Sequence, residues 1–294
     1  AKLVRPNGSG PRYDAGATFT PGDRWLAEFE ATRGAPVPAW VGHFVSRAVW
    51  FAVDMLVFIA LFTLYFVGRG LPEDRIEMAT RNAFRVIDLE QSLGVFYEPS
   101  WQRAAIGDST LVDLANFTYL TLHMPLLVVI GFAFFLADVR KHRLIRNAIL
   151  ISAFLAIPIY FFFPVTPPRL MGSAGYPMGI FDTIPADERT KPGILANWYA
   201  AVPSYHFGWI SLAVAGVWWT WRPWAVRLAA AGFGALMWWA IVVTGNHYFV
   251  DMVAGALMVT LSFGLALAFE RWAERNPQAV ARFTVRVGPL RLPF

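Results

Sequence analysis

The chain has no cysteine, which rules out disulfides, thiolate nucleophiles and Cys-type zinc sites. Charge is scarce too: 15% of its 294 residues are Asp, Glu, Lys or Arg, against about 25% in an ordinary soluble domain. The net charge of +5 is modest, and the arginines lie mainly in short loops and tails. That distribution suits a membrane surface better than a nucleic acid. No cluster of carboxylates offers a magnesium site. Residues 1–40 are polar and Pro/Gly-rich, and the first apolar run comes too late and runs too long for a cleavable signal peptide.

What is abundant is apolar residues, 56% of the chain, with 13 Trp and 25 Phe. They are blocked into long runs with aromatic residues near the ends, the pattern of a polytopic membrane protein. The runs predict an all-α integral membrane protein with six transmembrane helices, at 45–67, 111–137, 145–163, 204–221, 226–244 and 247–269. Between the first two, segment 72–108 shows apolar residues at helical spacing (Ile76, Ala79, Ala83, Val86, Ile87) interleaved with Arg81, Arg85, Asp88 and Glu90. That reads as an interfacial or lid helix, with Glu90 and Glu98 as surface charges.

The domain division that follows is a tail at 1–43 with an amphipathic helix around Asp23–Arg33, a membrane catalytic domain at 44–270, and a tail at 271–294. Segment 164–203, rich in proline and glycine, is a long ordered loop of the kind that carries function. Seventeen of the 25 Lys and Arg fall on the side of the termini and eight on the other. The positive-inside rule then puts both termini in the cytoplasm of a plasma (inner) membrane protein.

Two short motifs carry chemistry. Ala201-Val-Pro-Ser-Tyr-His206 and Gly245-Asn-His-Tyr-Phe-Val-Asp251 each set a histidine at the mouth of an apolar run. His247 and Asp251 are four apart, the spacing at which helical side chains meet, and a carboxylate beside an imidazole fixes its tautomer. Two crossings separate His206 from His247, so both lie at one membrane face with the 164–203 loop. Arg169, in Pro167-Pro-Arg-Leu170, joins them where proline ends the third run.

Cations, an imidazole acid and a carboxylate-backed imidazole suit phosphoryl transfer. Each residue also has a plainer reading. Arg169 fits an interfacial snorkelling residue, Lys191 a solvated loop charge, and Ser204 an N-cap whose role does not exclude phosphate binding. His123, well inside the second run, either lines the cavity or bonds a neighbouring helix. A transporter using the histidines as proton or headgroup ligands is the rival class, although no inverted repeat or interrupted helix pair supports it.

These motifs resemble the type 2 phosphatidic acid phosphatase superfamily. Pro203-Ser204-Tyr205-His206 matches its second motif, and His247 with Asp251 the end of its third. Pro-Pro-Arg-Leu and Leu89-Glu90-Gln-Ser-Leu-Gly94 followed by Glu98 are closest to its inositol phosphorylceramide synthase-like branch. The resemblance covers about residues 75–270. It implies a six-helix fold and an enzyme that needs no metal or other cofactor. His247 would be the nucleophile, Asp251 its orienter, and His206 the acid. Arg169, Ser204 and Lys191 would hold phosphate, while Tyr205, Asn246, His123 and Glu90 could line the substrate.

The expected partners are a phospholipid substrate, a hydroxyl acceptor such as a lipid or polyol, and the bilayer. With water as acceptor the same site would be a phosphatase. Two of the family's phosphate-binding cations have no counterpart, since Phe162 stands at the lysine of the first motif and Ile241 at the arginine of the third.

Overall fold

The computed structural model describes residues 39–70, 75–185, 197–281, 285–287 and 290–292. Lys191 and the helix expected at Asp23–Arg33 lie outside them. The order of elements is α1 (Ala39–Gly70), α2 (Ile76–Leu93), α3 (Glu98–Ile106), α4 (Ser109–Asn116), a π-helical segment (Phe117–Leu122), α5 (His123–Ala137), α6 (Val139–Phe162) and α7 (Pro168–Met171). Then come α8 (Tyr205–Thr220), α9 (Trp224–Val243), α10 (Phe249–Arg275), α11 (Pro277–Ala281), β1 (Val285–Val287) and β2 (Leu290–Leu292). The chain divides into two units, Val57–Trp272 and the flanking Ala1–Leu56 with Ala273–Phe294. Within the flanking unit β1 and β2 pair antiparallel, with Arg286 opposite Arg291.

Five helices are long and apolar enough to cross a membrane: Arg47–Gly70, Ser109–Ala137, Val139–Phe162, Trp224–Val243 and Phe249–Arg275. This is the architecture of a multi-pass membrane protein. The remaining expected span, 204–221, is α8, apolar but only 16 residues long. It is cut short by its Ser204 N-cap and by Pro223, which starts the next helix. Helix α6 begins earlier than the apolar run, because the Asp138 carboxylate accepts from the Arg140 and Lys141 amides and nucleates a turn that includes the charged residues.

The expected lid segment is two helices packed on protein. Helix α2 buries Ala79, Ala83, Val86, Ile87 and Glu90 along one face and leaves Glu77, Arg81, Arg85 and Asp88 exposed. Its buried face meets Val165, Met171, Ala201 and Tyr248. The site loop is sewn to it, since Thr166 N–H donates to Ala79 O (3.1 Å) and Asn82 Nδ2 to Pro164 O (2.9 Å).

The main core gathers α1, α5, α6, α8 and α10 around Phe62, Tyr65, Phe134, Tyr160, Tyr205 and Trp209. Trp209 lies 5.3 Å from Phe62 and 4.9 Å from Tyr205, and its indole N–H donates to Ser152 Oγ (3.1 Å). Helices α8 and α10 approach backbone to backbone. A Cβ on Gly208 would stand 2.9 Å from Gly255 O, and one on Gly255 would overlap Ser204 O. This approach holds the start of α8 against the first turns of α10.

Gly255→Ala should therefore separate the two helices, at a cost of about 1–3 kcal/mol or more. Gly264→Ala is the control, because a Cβ there meets nothing within 4 Å. Thermal unfolding in detergent should show a lowered midpoint for the first variant and no loss for the second.

Candidate functional site

The turn between α9 and α10 builds one wall. Gly245, at φ 66°, closes α9; its N–H donates to Val242 O, and Asn246 N–H donates to Ile241 O. A side chain at Gly245 would press on the Arg169 and Ile180 side chains at 3.0 Å and would need the left-handed conformation, so glycine answers both demands. The carbonyl of Gly245 accepts from Arg169 N–H (2.8 Å), which fixes α7 against the turn.

His247 follows. Its Nδ1 faces two acceptors, Ala201 O at 2.9 Å and Asp251 Oδ2 at 3.3 Å. A carbonyl can only accept, so Nδ1 carries the hydrogen and the lone pair resides on Nε2. Asp251 is fully buried, and its Oδ2 also accepts from Tyr248 N–H (2.9 Å). The carboxylate thus serves both the imidazole and the start of α10.

His206 lies in the first turn of α8, with its ring centroid 6.0 Å from that of His247. Tyr119 stacks on it at 4.1 Å and His123 lies at 4.5 Å. Tyr119 belongs to the π-helical segment and His123 opens α5 directly after it. Single π turns of this kind recur at functional sites. Here the turn places both rings against His206.

The two histidines line a cavity of about 230 Å³ together with Arg69, Tyr119, Arg169 and Asn246. Arg169 is held from several sides: Nε donates to Asn246 Oδ1 (2.8 Å), Nη1 pairs with Asp182 (3.2 Å), and the guanidinium lies 5.0 Å over Trp198. Arg69, in the last turn of α1, has its guanidinium 5.9 Å from the Tyr160 ring and a buried Nε without a hydrogen-bond partner. Its carbonyl accepts from Asn197 Nδ2 (2.6 Å). Among the described residues no carboxylate pairs with Arg69, so the cavity holds a guanidinium with unused bonding capacity.

A family model described as the PAP2 superfamily matches residues 85–265. The chain belongs to the PAP2 superfamily. No curated protein and no solved structure matches it. The matched span runs from within α2 into α10 and includes Arg169, both histidines and Asp251. PAP2 membership points to phosphatase or phosphotransferase chemistry on lipid phosphates.

The other residues expected at the site are distributed unevenly. Asn246 and His123 are close to the histidines, and the buried His123 Nε2 has no hydrogen-bond partner. Ser204 is fully buried behind His206, where its N–H donates to Asp251 O (3.0 Å); it joins α8 to α10 and does not line the cavity. Tyr205 turns into the core, where its hydroxyl donates to Ser152 O. Glu90 and Glu98, expected as surface charges, are fully buried and accept from the first amides of α10, at Val250 and Phe249. Burial overrides the reading of these two glutamates as surface charges, because the exposed charges Glu77, Arg81, Arg85 and Asp88 occupy the other face of α2, and neither glutamate lines the cavity.

Phe162 is 73% exposed and Ile241 fully buried among apolar residues, and neither lines the cavity. Arg69 lies outside the family-matched span and belongs to no motif, so the sequence reading missed it.

Two acceptors on Nδ1 predict that His247 keeps the Nδ1–H tautomer in Asp251→Ala, since the Ala201 carbonyl remains. Nitrogen NMR of histidine-labelled protein checks this. A switch to Nε2–H in that variant would show that the carboxylate, not the carbonyl, sets the tautomer.

Proposed function

We propose that the chain is a membrane phosphotransferase that acts on a lipid-linked phosphate through a phosphohistidine on His247. One observation carries the reading: His247 commits Nδ1 to two acceptors and lines, opposite His206, a cavity bordered by Arg69 and Arg169. The Nε2 lone pair attacks phosphorus and the bond to the leaving oxygen breaks. His206 gives that oxygen its proton, a step worth about 10²–10⁴ in rate. His206 then takes the proton of the acceptor hydroxyl, whose oxygen displaces His247 from phosphorus.

The 6.0 Å between ring centroids suits a phosphoryl group between the rings, with reacting atoms about 3 Å from each. Arg69 and Arg169 bind the non-bridging oxygens and take the place of the cations missing at Phe162 and Ile241. Asp251 holds His247 and stabilises it when charged.

The branch-like residues at Leu89–Gly94, Glu98 and Pro167–Leu170 favour a hydroxyl acceptor over water, with inositol phosphate as the group moved. Helix α8 serves as a sixth span. At 1.5 Å per residue it covers about 24 Å of a roughly 30 Å hydrocarbon core, and the site loop fills the remainder. The excess of Lys and Arg puts the termini in the cytoplasm and the histidines at the extracytoplasmic face of a plasma membrane. Helices α2 and α3 lie at that interface.

Purified protein given phosphatidylinositol, with and without a lipid or polyol hydroxyl acceptor, tests this. A phosphorylated acceptor should form, and His247→Ala should abolish it. His206→Ala should slow it about 10²–10⁴-fold. Arg69→Gln should lower kcat/KM about 10- to 100-fold, the scale of a hydrogen bond to a charged group. With phosphatidic acid instead, release of inorganic phosphate and no transfer to the acceptor would make the chain a lipid phosphate phosphatase. Full activity in His247→Ala would overturn the mechanism, and proton-coupled flux without turnover would favour a transporter.

A further inference from the structure

Three successive amides open α10, and each donates to a carboxyl group. Tyr248 N–H reaches Asp251 Oδ2 (2.9 Å), Phe249 N–H reaches Glu98 Oε1 (2.8 Å), and Val250 N–H reaches Glu90 Oε1 (2.7 Å). The two glutamates are eight residues apart. Gly94, at φ 69°, ends α2 and turns the chain back so that α3 begins with Glu98 beside Glu90. Both are 0% exposed.

Each uses Oε1 on α10, and each Oε2 is buried with no donor reaching it from any other group among the described residues. The carboxyls contact one another. Two carboxylates cannot hydrogen-bond without a proton, and two buried like charges in contact cannot both ionise. The groups facing them make matters worse. Asp251 is an acid, Tyr248 is neutral, and no cation among the described residues pairs with either glutamate. The positive end of a helix macrodipole offsets roughly half an elementary charge, not three.

We infer that Glu90 and Glu98 share one proton between their Oε2 atoms, and that this acid–carboxylate pair positions the first turn of α10, including His247 and Asp251. The pair consists of positioning residues; neither lines the cavity. Burial first, and the neighbouring carboxyl next, push Glu90 up to about 9, and burial raises Glu98 as well. A raised carboxyl favours the fold most below the ordinary carboxylate range, and that contribution is gone once the pH has risen through about 9. The clamp thus holds at neutral pH and fails on the alkaline side. Its consequence for turnover rests on the proposed function, but the shared proton does not.

The test reads the proton directly. The infrared carbonyl band of a protonated carboxylic acid should be present at neutral pH and vanish as pH rises through about 9, and Glu90→Gln or Glu98→Gln should remove it. Deuterium uptake at the 248–250 amides should stay near wild type in either Gln variant, because the new amide donates where the acid did. Glu90→Ala should accelerate it about tenfold, the scale of a lost helix cap. With phosphatidic acid as substrate, the alkaline limb of the pH–rate profile should move upward in the Gln variants.

If neither Gln variant loses a protonated-carboxyl band, there is no shared proton. If Glu90→Ala leaves uptake unchanged, the pair does not position α10. Should the protein turn over no lipid phosphate at all, the function reading fails while the infrared and exchange results still decide this one.

Discussion

The hydrogen bond from His247 Nδ1 to the Ala201 carbonyl is the constraint on which the rest of the site depends. Ala201 lies near the end of the long loop that begins at Pro164, and the two ends of that loop are pinned together where Val165 N–H donates to Tyr199 O (2.7 Å). Through one bond the loop, the α9–α10 turn and the start of α8 acquire a common reference. The close approach of Gly208 and Gly255 makes the bond possible, because bulkier residues would hold α8 too far from α10 for Ala201 to reach the imidazole. Sterics here precede chemistry.

The support behind the histidines is polar and buried, an expensive arrangement unless each group is satisfied. Asp251, Glu90 and Glu98 meet that requirement with one oxygen each, which accepts an amide that a helix N-terminus leaves without a partner. Gln102 does the same for the loop, donating to Phe181 O and Val243 O and accepting from Phe181 N–H. The cavity then receives side chains with capacity to spare, above all Arg69. Held groups on one side and unsatisfied groups on the other give the site its direction.

Much of this could be read from residues alone. The apolar runs located the long helices to within about six residues, and a reading of two crossings between His206 and His247 set both histidines at one face, where the structure has their ring centroids 6.0 Å apart. Arg169 followed from the proline stop before it. Other features were not legible, for physical reasons. The Ala201 carbonyl is backbone and leaves no trace in residue type. Glu90 and Glu98 sit in a segment whose charges alternate with apolar residues, and pattern cannot tell a buried carboxyl clamp from a solvated face. Ser204 and Tyr205 flank His206 in sequence, but a helix points consecutive residues in different directions, so both turn away from the cavity. Arg69 ends a hydrophobic run, where an arginine is most simply an anchor.

The central claim is that His247 carries the phosphoryl group on Nε2. Quenching within the first turnover exposes the intermediate most directly. The unaltered protein, mixed with a lipid phosphate, quenched in alkali and digested, should yield a peptide spanning Gly245–Asp251 with one phosphate on the histidine ring, and His247→Ala should yield none. An unmodified peptide from protein that turns over, or phosphate on another residue, would contradict the account.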